Sequence, residues 1–374
     1  MTFVLAGQGL TAVPYPKKSI DPVAAVDAAV EDSVDDIKDG FGEKFDAENA
    51  PGFSTTSVVT AVDALNAMLH STISGVRALG PAMMSKALTH LSDAYAEISL
   101  TTIAQTCELA NGLVGMFNGL LSLSGMYGDI VVNQLFGACS SAVRGVSTGP
   151  MSGAKVEKTP TTGFQASTLA QSASIDEEMG KSAVRASLNV NRYGEDMGEA
   201  DPSPHVGALE IVSVTTSVRA RQSANLVAAV NLARCMAITT AARTAVRINY
   251  TSYDSAVEMM NEVVDALDDT LLKIGDDSAN TDYAPYNVTV SDPDSYNALV
   301  SLRPVFIEAM MEIGADLARV VAYEVPPATL SSLVLAYNQY DDLDREAEIV
   351  SRNIPLVQHP GFLPQGQEIE ILNE

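Results

Sequence analysis

The sequence predicts a mainly α protein, with multiple domains of helical bundles closed at the C-terminus by a small βααβ module. Three observations predict it. Apolar residues recur at helical spacings of three and four over most of the 374 residues. Ala, Ser, Val, Leu and Met are plentiful while Trp is absent and aromatics are 6%, which suits close helix packing better than a β-sandwich. Near residues 320 and 370 the pattern changes to short β-branched or alternating runs, the signature of strands.

Residues 1–50 read as an N-terminal arm with an acidic helix. Asp21-Pro22 starts that helix, with proline in its favoured first turn, and it runs to about Asp39. Val23, Val26, Val30, Val34 and Ile37 recur at roughly 3.6, so one face docks on something. Residues 51–148 form a helical block. Val58, Val62, Leu65 and Leu69 make one seam; Met84, Leu88, Leu91, Tyr95 and Ile98 make another, with Pro81 near its start. Each seam is about two heptads long, which favours a bundle over a long coiled coil.

Residues 149–204 are rich in Ser, Thr, Gly and charged residues and read as an extended, linker-like region, interrupted by a helix between about Gln165 and Leu188. Residues 205–318 form a second helical domain. Its clearest seam is Tyr253, Val257, Met260, Val264, Leu267 and Leu271. A turn-rich insert follows, with Asn287 to Val290 as a short strand. Asp292-Pro293 then starts a helix carrying Leu299, Leu302, Phe306, Met310, Ile313 and Leu317, which Pro304 should kink or break.

Residues 319–374 are the module. A strand of Val320, Val321, Tyr323 and Val325 stops at Pro326-Pro327. Thr329 is placed to cap a helix whose apolar face is Leu330, Leu333, Val334 and Tyr337. An acidic turn of Asp341, Asp342 and Asp344 leads to a second short helix with Ala347, Ile349 and Val350 apolar. Turn signals at Pro360-Gly361, Pro364 and Gly366 precede a final strand, Glu368 to Ile371.

Composition narrows the function. Hydrophobic residues are 47% and mean hydropathy is +0.12, which excludes a wholly disordered chain. The net charge of −25 repels polyanions, so DNA is not an expected partner, and basic protein surfaces are. Cys107, Cys139 and Cys235 stand far apart and read as small core hydrophobes. The N-terminus lacks the pattern of a signal peptide. The uncharged stretch 109–128 is rich in Gly, Asn and Ser and reads as buried helix rather than as a membrane span.

Motifs for chemistry are missing. His70, His90, His205 and His359 have no metal-ligand spacing, and no HExxH, P-loop or GxSxG occurs. The Asp341, Asp342, Asp344 run lacks EF-hand spacing and reads as a solvated loop. No catalytic residue, cofactor site or metal ligand is therefore predicted. One charge feature stands apart. Between His205 and Tyr250 the sole acid is Glu210, against Arg219, Arg221, Arg234, Arg243 and Arg247, a local charge of +4. The first reading of this island is pairing with the acidic helices at 21–39 and 254–269. The second is a protein interface, and the third is contact with DNA phosphates.

Strand, helix, helix, strand in some fifty residues looks like a lysin-motif fold, which serves either glycan binding or the joining of phage tail parts. The segment PPATLSSLVLAYNQYDDLDREAEIVSRNIPLVQHPGFLPQGQEIEIL, residues 326–372, resembles the C-terminus of the Mu-like phage tail proteins called DNA circularisation proteins. INYTSYDSAV, residues 248–257, is similar to the start of a long helix in the same family. The resemblance covers about 205–374; the β-containing N-terminal domain of the family is not evident in residues 1–150.

That resemblance implies a structural part of a contractile tail, at the baseplate or tube–hub junction, connecting tail proteins and resident in the virion after assembly in the host cytoplasm. Its implied partners are hub, tube, wedge and tape-measure proteins, with several copies per particle. A role on injected DNA ends and peptidoglycan binding are the alternatives. In this setting Thr329, Tyr337, Asn353 and the turn His359, Pro360, Gly361 and Phe362 are expected to shape the module rather than hold a ligand.

Overall fold

The computed structural model describes residues 21–45, 52–76, 81–98, 106–117, 177–193 and 214–373, apart from the single positions 276, 316, 328, 355 and 358. Asp21 opens the first helix, α1 (Pro22–Lys44), its Oδ1 accepting from the Val23 N–H at 3.1 Å. The predicted face is the buried one: Val26, Val30, Val34 and Ile37 are all inside. The helix runs past Asp39 to Lys44, because Phe41 is also buried and stacks on Phe45, with ring centroids 5.1 Å apart.

Among the described residues, seven more helices precede the module: α2 (Gly52–Gly75), α3 (Pro81–Glu97), α4 (Thr106–Met116), α5 (Glu177–Asn191), α6 (Ser217–Ala245), α7 (Tyr253–Ile274) and α8 (Pro293–Ala315). They have a simple plan. The central helix is α6, ringed by α1, α8, α7, α5, α2 and α4, each touching the next and α4 closing back on α1. Outside the ring, α3 lies against α2 and α4.

One hydrophobic cluster runs through all eight of these helices. The division expected at 50, 149 and 204 is therefore not a division of cores. The acidic helix is a ring member rather than part of an arm, and the linker-like region contributes α5 to the same ring. Composition misleads there because α5 buries Ala183, Val184, Ala186 and Val190 along one face and is polar elsewhere.

The central place of α6 follows from its small side chains. Of its 29 residues, 22 are buried, many of them alanine, so neighbours approach on every side. Two of its buried hydroxyls are satisfied within the helix, Thr239 donating to the Met236 carbonyl at 3.0 Å and Thr244 to the Thr240 carbonyl at 2.9 Å. The Ser223 hydroxyl pairs with that of Tyr283 at 2.7 Å, and the Thr240 hydroxyl is buried without a partner among the described residues. By length and composition α6 passes for a membrane-crossing helix, yet 89% of its apolar window is enclosed by the ring.

On α7 the buried stripe is Ala256, Met259, Val263, Leu267, Thr270 and Ile274. The seam read from the sequence is displaced from it by about one position; its other members are half-buried flanks. The reason is that α7 packs against α5, α6 and α8, so its inner face is wide and centred between candidate seams. Thr270 is buried because its hydroxyl and Asn191 form a hydrogen bond of 3.0 Å.

Between α7 and α8 the insert forms two short 3-10 helices, Asp277–Asp282 and Ala284–Tyr286. Residues 288–290 are not a strand; the Asn280 side chain holds them by accepting from the Val290 and Ser291 N–H groups. Asp292 then starts α8 as expected, accepting from the Ser295 N–H and hydroxyl at 3.1 and 2.6 Å. The helix passes through Pro304 unbroken and buries Leu299, Leu302, Phe306 and Met310.

The C-terminal module has the predicted order: β1 (Arg319–Glu324), α9 (Ser332–Tyr340), α10 (Glu346–Arg352) and β2 (Glu368–Asn373). The two strands pair antiparallel, with Arg319 opposite Asn373 and Glu324 opposite Glu368. Val325, Leu335, Ala336, Ile349, Val357, Leu363, Ile369 and Ile371 form a second core of its own.

Candidate protein interface on the C-terminal module

Backbone constraints decide where α9 begins. The Leu363 N–H donates to the Leu330 carbonyl at 2.8 Å, and the Ser332 N–H to the Pro360 carbonyl at 2.9 Å. These bonds hold the chain extended up to Ser331, which caps α9 by accepting from the Val334 N–H at 3.3 Å. Thr329, expected as the cap, is exposed two residues earlier. The Ser332 hydroxyl sits within hydrogen-bond reach of both the Glu346 carboxylate and the Pro360 carbonyl, at 2.7 and 2.8 Å. Pro360 therefore shapes the module through its backbone.

Asn353 is the strongest of the expected shaping residues. Its Nδ2 donates to the Ile349 and Glu370 carbonyls, and its Oδ1 accepts from the Glu370 N–H, all at 2.8 Å. One buried amide thus pins the end of α10 to β2. His359 turns the following loop, its Nδ1 accepting from the Gly361 N–H at 2.9 Å, and its ring lies 5.7 Å from that of Phe362. Tyr337 has no such part, being 56% exposed. Tyr340 is the anchoring tyrosine that sequence reasoning missed. Its hydroxyl accepts from the Leu372 N–H at 2.9 Å, and the Arg345 guanidinium covers its ring at 3.8 Å.

The face of α9 is the main correction. Leu333, Val334 and Tyr337, read as core, point outward, while Ser332, Leu335 and Ala336 are buried. Both sides of this short helix are apolar, so periodicity does not choose between them; small Ser332 and Ala336 beside Leu335 are the signal for close packing. Leu343, Ile354, Leu356 and Phe362 are also exposed, the last at 65%. Asp341, Asp342 and Asp344 are exposed at the C-terminal end of α9. Asp341 takes the left-handed conformation that ends the helix (φ 52°), and Asp342 accepts from the Asp344 N–H at 2.9 Å.

The module's cations are all engaged. Arg345 and Arg352 pair with Glu348 at 3.1 and 3.4 Å, and the Arg319 guanidinium lies 4.6 Å over the Tyr253 ring. What remains outward is apolar surface beside carboxylates. Such a surface suits a partner that is apolar with a basic rim.

The arginine island does not form one surface. Arg243 and Arg247 are buried at 1% and 7% exposure and make the internal pairs of the first reading, not contacts with a partner. Arg243 Nε lies 3.0 Å from Asp27 of α1, with Glu31 at 3.7 Å, and Arg247 pairs with the same Asp27. Burial pushes the Glu31 carboxyl above its ordinary range despite Arg243. Half-buried Arg234 donates to the Tyr193 carbonyl at 2.8 Å, Arg221 is half-buried, and Arg219 is exposed. The charge of the island therefore serves largely to hold α1 onto α6. Among the described residues no cluster of His, Cys, Asp and Glu is placed to hold a metal. Cys235 is buried, and burial pushes its thiol well above the ordinary range. Comparison with known proteins finds neither a matching family model nor a matching curated sequence.

Proposed function

We propose that the chain is a structural connector of a contractile phage tail, joining tail proteins at the baseplate or tube–hub junction, and has no catalytic role. The observation that carries this reading is the outward apolar face of the module, Leu333, Val334, Tyr337 and Phe362, beside the acidic 341–344 turn. Several exposed large apolar side chains on so small a module are the mark of contact with another macromolecule. The resemblance of residues 326–372 to Mu-like tail proteins supplies the setting. The alternative on DNA ends is weaker, because two of the five arginines that would meet phosphates are buried in ion pairs with Asp27.

The test is the position and copy number of the chain in purified particles. A fixed, stoichiometric place at the baseplate or hub supports the connector; absence from the particles sinks it. Tyr337→Asp is expected to stop assembly at a tail intermediate while the purified variant melts like wild type. A salt-dependent gel shift with linear phage-end DNA separates the alternative, since tight binding with a steep salt slope belongs to a DNA-end protein. Retention of the full chain on purified peptidoglycan would favour a glycan-binding module instead.

A further inference from the structure

We propose that the groove between α7 and α8 docks a basic amphipathic helix of a neighbouring protein, giving the connector a second docking surface; this deepens the connector reading and rests on it. The evidence starts with α8, which is apolar on two faces. Its inner face is Leu299, Leu302, Phe306 and Met310. A second stripe, Tyr296, Val300, Pro304, Ile307 and Met311, follows spacings of four, four, three and four. Helical geometry puts the stripes about 115° apart. Val300 is 42% exposed and Met311 62%, while Tyr296 packs over Gly275 at the end of α7 and Ile307 is half-buried.

Across the groove Leu272 of α7 is 76% exposed, the most exposed large apolar residue among those described. Leu272 and Tyr296 line an open cavity of about 660 Å³ at one end of the groove. A helix apolar on both sides is the pattern of a helix with neighbours on both sides. The stripe from 296 to 311 spans about 22 Å, which a helix of roughly 15 residues matches.

Charge selects the occupant. Exposed Asp265, Glu308 and Glu312 lie on the outward sides of the same two helices. The nearby cations are engaged: Arg303 makes two bonds to Asp268, at 2.7 and 2.9 Å, and Lys273 pairs with Asp269. A second copy would present the same acids across a two-fold contact, in a chain of net charge −25. A partner helix with apolar anchors at i, i+3 or i+4 and i+7, flanked by Lys or Arg, meets both demands.

The test uses the full chain and two labelled synthetic helical peptides, one patterned Leu/Lys and one Leu/Glu, read by fluorescence anisotropy. The Leu/Lys peptide is expected to bind and the Leu/Glu peptide to bind at least about tenfold more weakly. Val300→Asp with Met311→Asp should weaken the Leu/Lys peptide by ~tenfold or more although it adds negative charge. These variants are read in a Tyr337→Asp background, which removes the module's own apolar face from the assay, and Leu272→Asp alone should act in the same direction.

Unchanged binding by the double variant, or equal binding of the two peptides, overturns the proposal. Early melting of the double variant would mean that the chain itself covers the stripe. A wild-type dimer that the double variant dissolves, seen in sedimentation, would assign the face to a second copy. Either result also overturns it. Absence of the chain from tail particles would remove the connector reading and leave the peptide result standing, so the two failures are distinguishable.

Discussion

Two side chains concentrate the physics of this protein at the residue scale. Asn353 uses both amide hydrogens and its carbonyl in bonds to α10 and β2. Asn353→Ala leaves the Glu370 N–H and carbonyl without those partners in a part-buried setting. A loss of about 2–3 kcal/mol is expected, since unsatisfied buried groups carry their full desolvation cost. Amide exchange checks it: protection at Ile369 and Ile371 should fall while that of α6 stays. Asp27 is the second. It faces Arg243 and Arg247, both almost without solvent. Asp27→Ala removes the pair of buried Arg247 and the nearer acidic partner of buried Arg243, and should destabilise by about 3–5 kcal/mol in urea unfolding. The same change at exposed Asp32 should stay within about 0.5 kcal/mol.

At the scale of elements, contact between α1 and α8 depends on a missing side chain. A Cβ on Gly40 would stand 2.7 Å from Asp292 Oδ1 and 3.2 Å from Asp294 Cβ. The Asp292 carboxylate is fixed by two bonds to Ser295, so it does not yield easily. Gly40→Ala gains helix propensity worth up to about 1 kcal/mol yet should lower stability by about 1–3 kcal/mol, read as a drop in the thermal midpoint. The acidic residues and valines of α1 lie on different faces, and for that reason its buried face was legible in the sequence. The βααβ order was legible too, because prolines and glycines punctuate it. The outward face of α9 was not, since Leu333 and Leu335 are equally apolar and only the partner elements choose. Nor was the central place of α6: a helix buried on every side has no periodicity to read, although the opposite charges of its arginines and of the acidic helix at 21–39 did point to their pairing.

Over the whole molecule, two cores meet at the turn that leads into α7. The Tyr253 N–H donates to the Ala318 carbonyl at 2.9 Å, and Asp254 accepts from the Val320 N–H at 2.7 Å, so this turn holds the start of β1. Arg352 of α10 reaches Thr251 at 3.4 Å. From the ring side, Glu177 of α5 holds the same turn, accepting from the Thr251 N–H at 2.9 Å and from the Ser255 hydroxyl, with Lys181 at 2.9 Å. Burial alone would push the Glu177 carboxyl up, but the bonds from Ser255, Lys181 and Thr251 outweigh it and hold the carboxyl at about 2, against 4.5 when free. The folded state therefore prefers the charged carboxylate. Its contribution, on the order of 2–3 kcal/mol, is complete above the unfolded value and is lost as pH falls from about 4.5 towards 2. Glu31 and Asp35, raised by burial, act in the opposite sense: their cost is relieved as pH falls towards their ordinary values. Comparing wild type with Glu177→Gln isolates the first effect. The variant should be less stable at neutral pH, and the gap should close below pH ~3. Exchange at the start of α7 and along β1 should rise together in that window, because one carboxylate steadies the turn that joins the helical ring to the module.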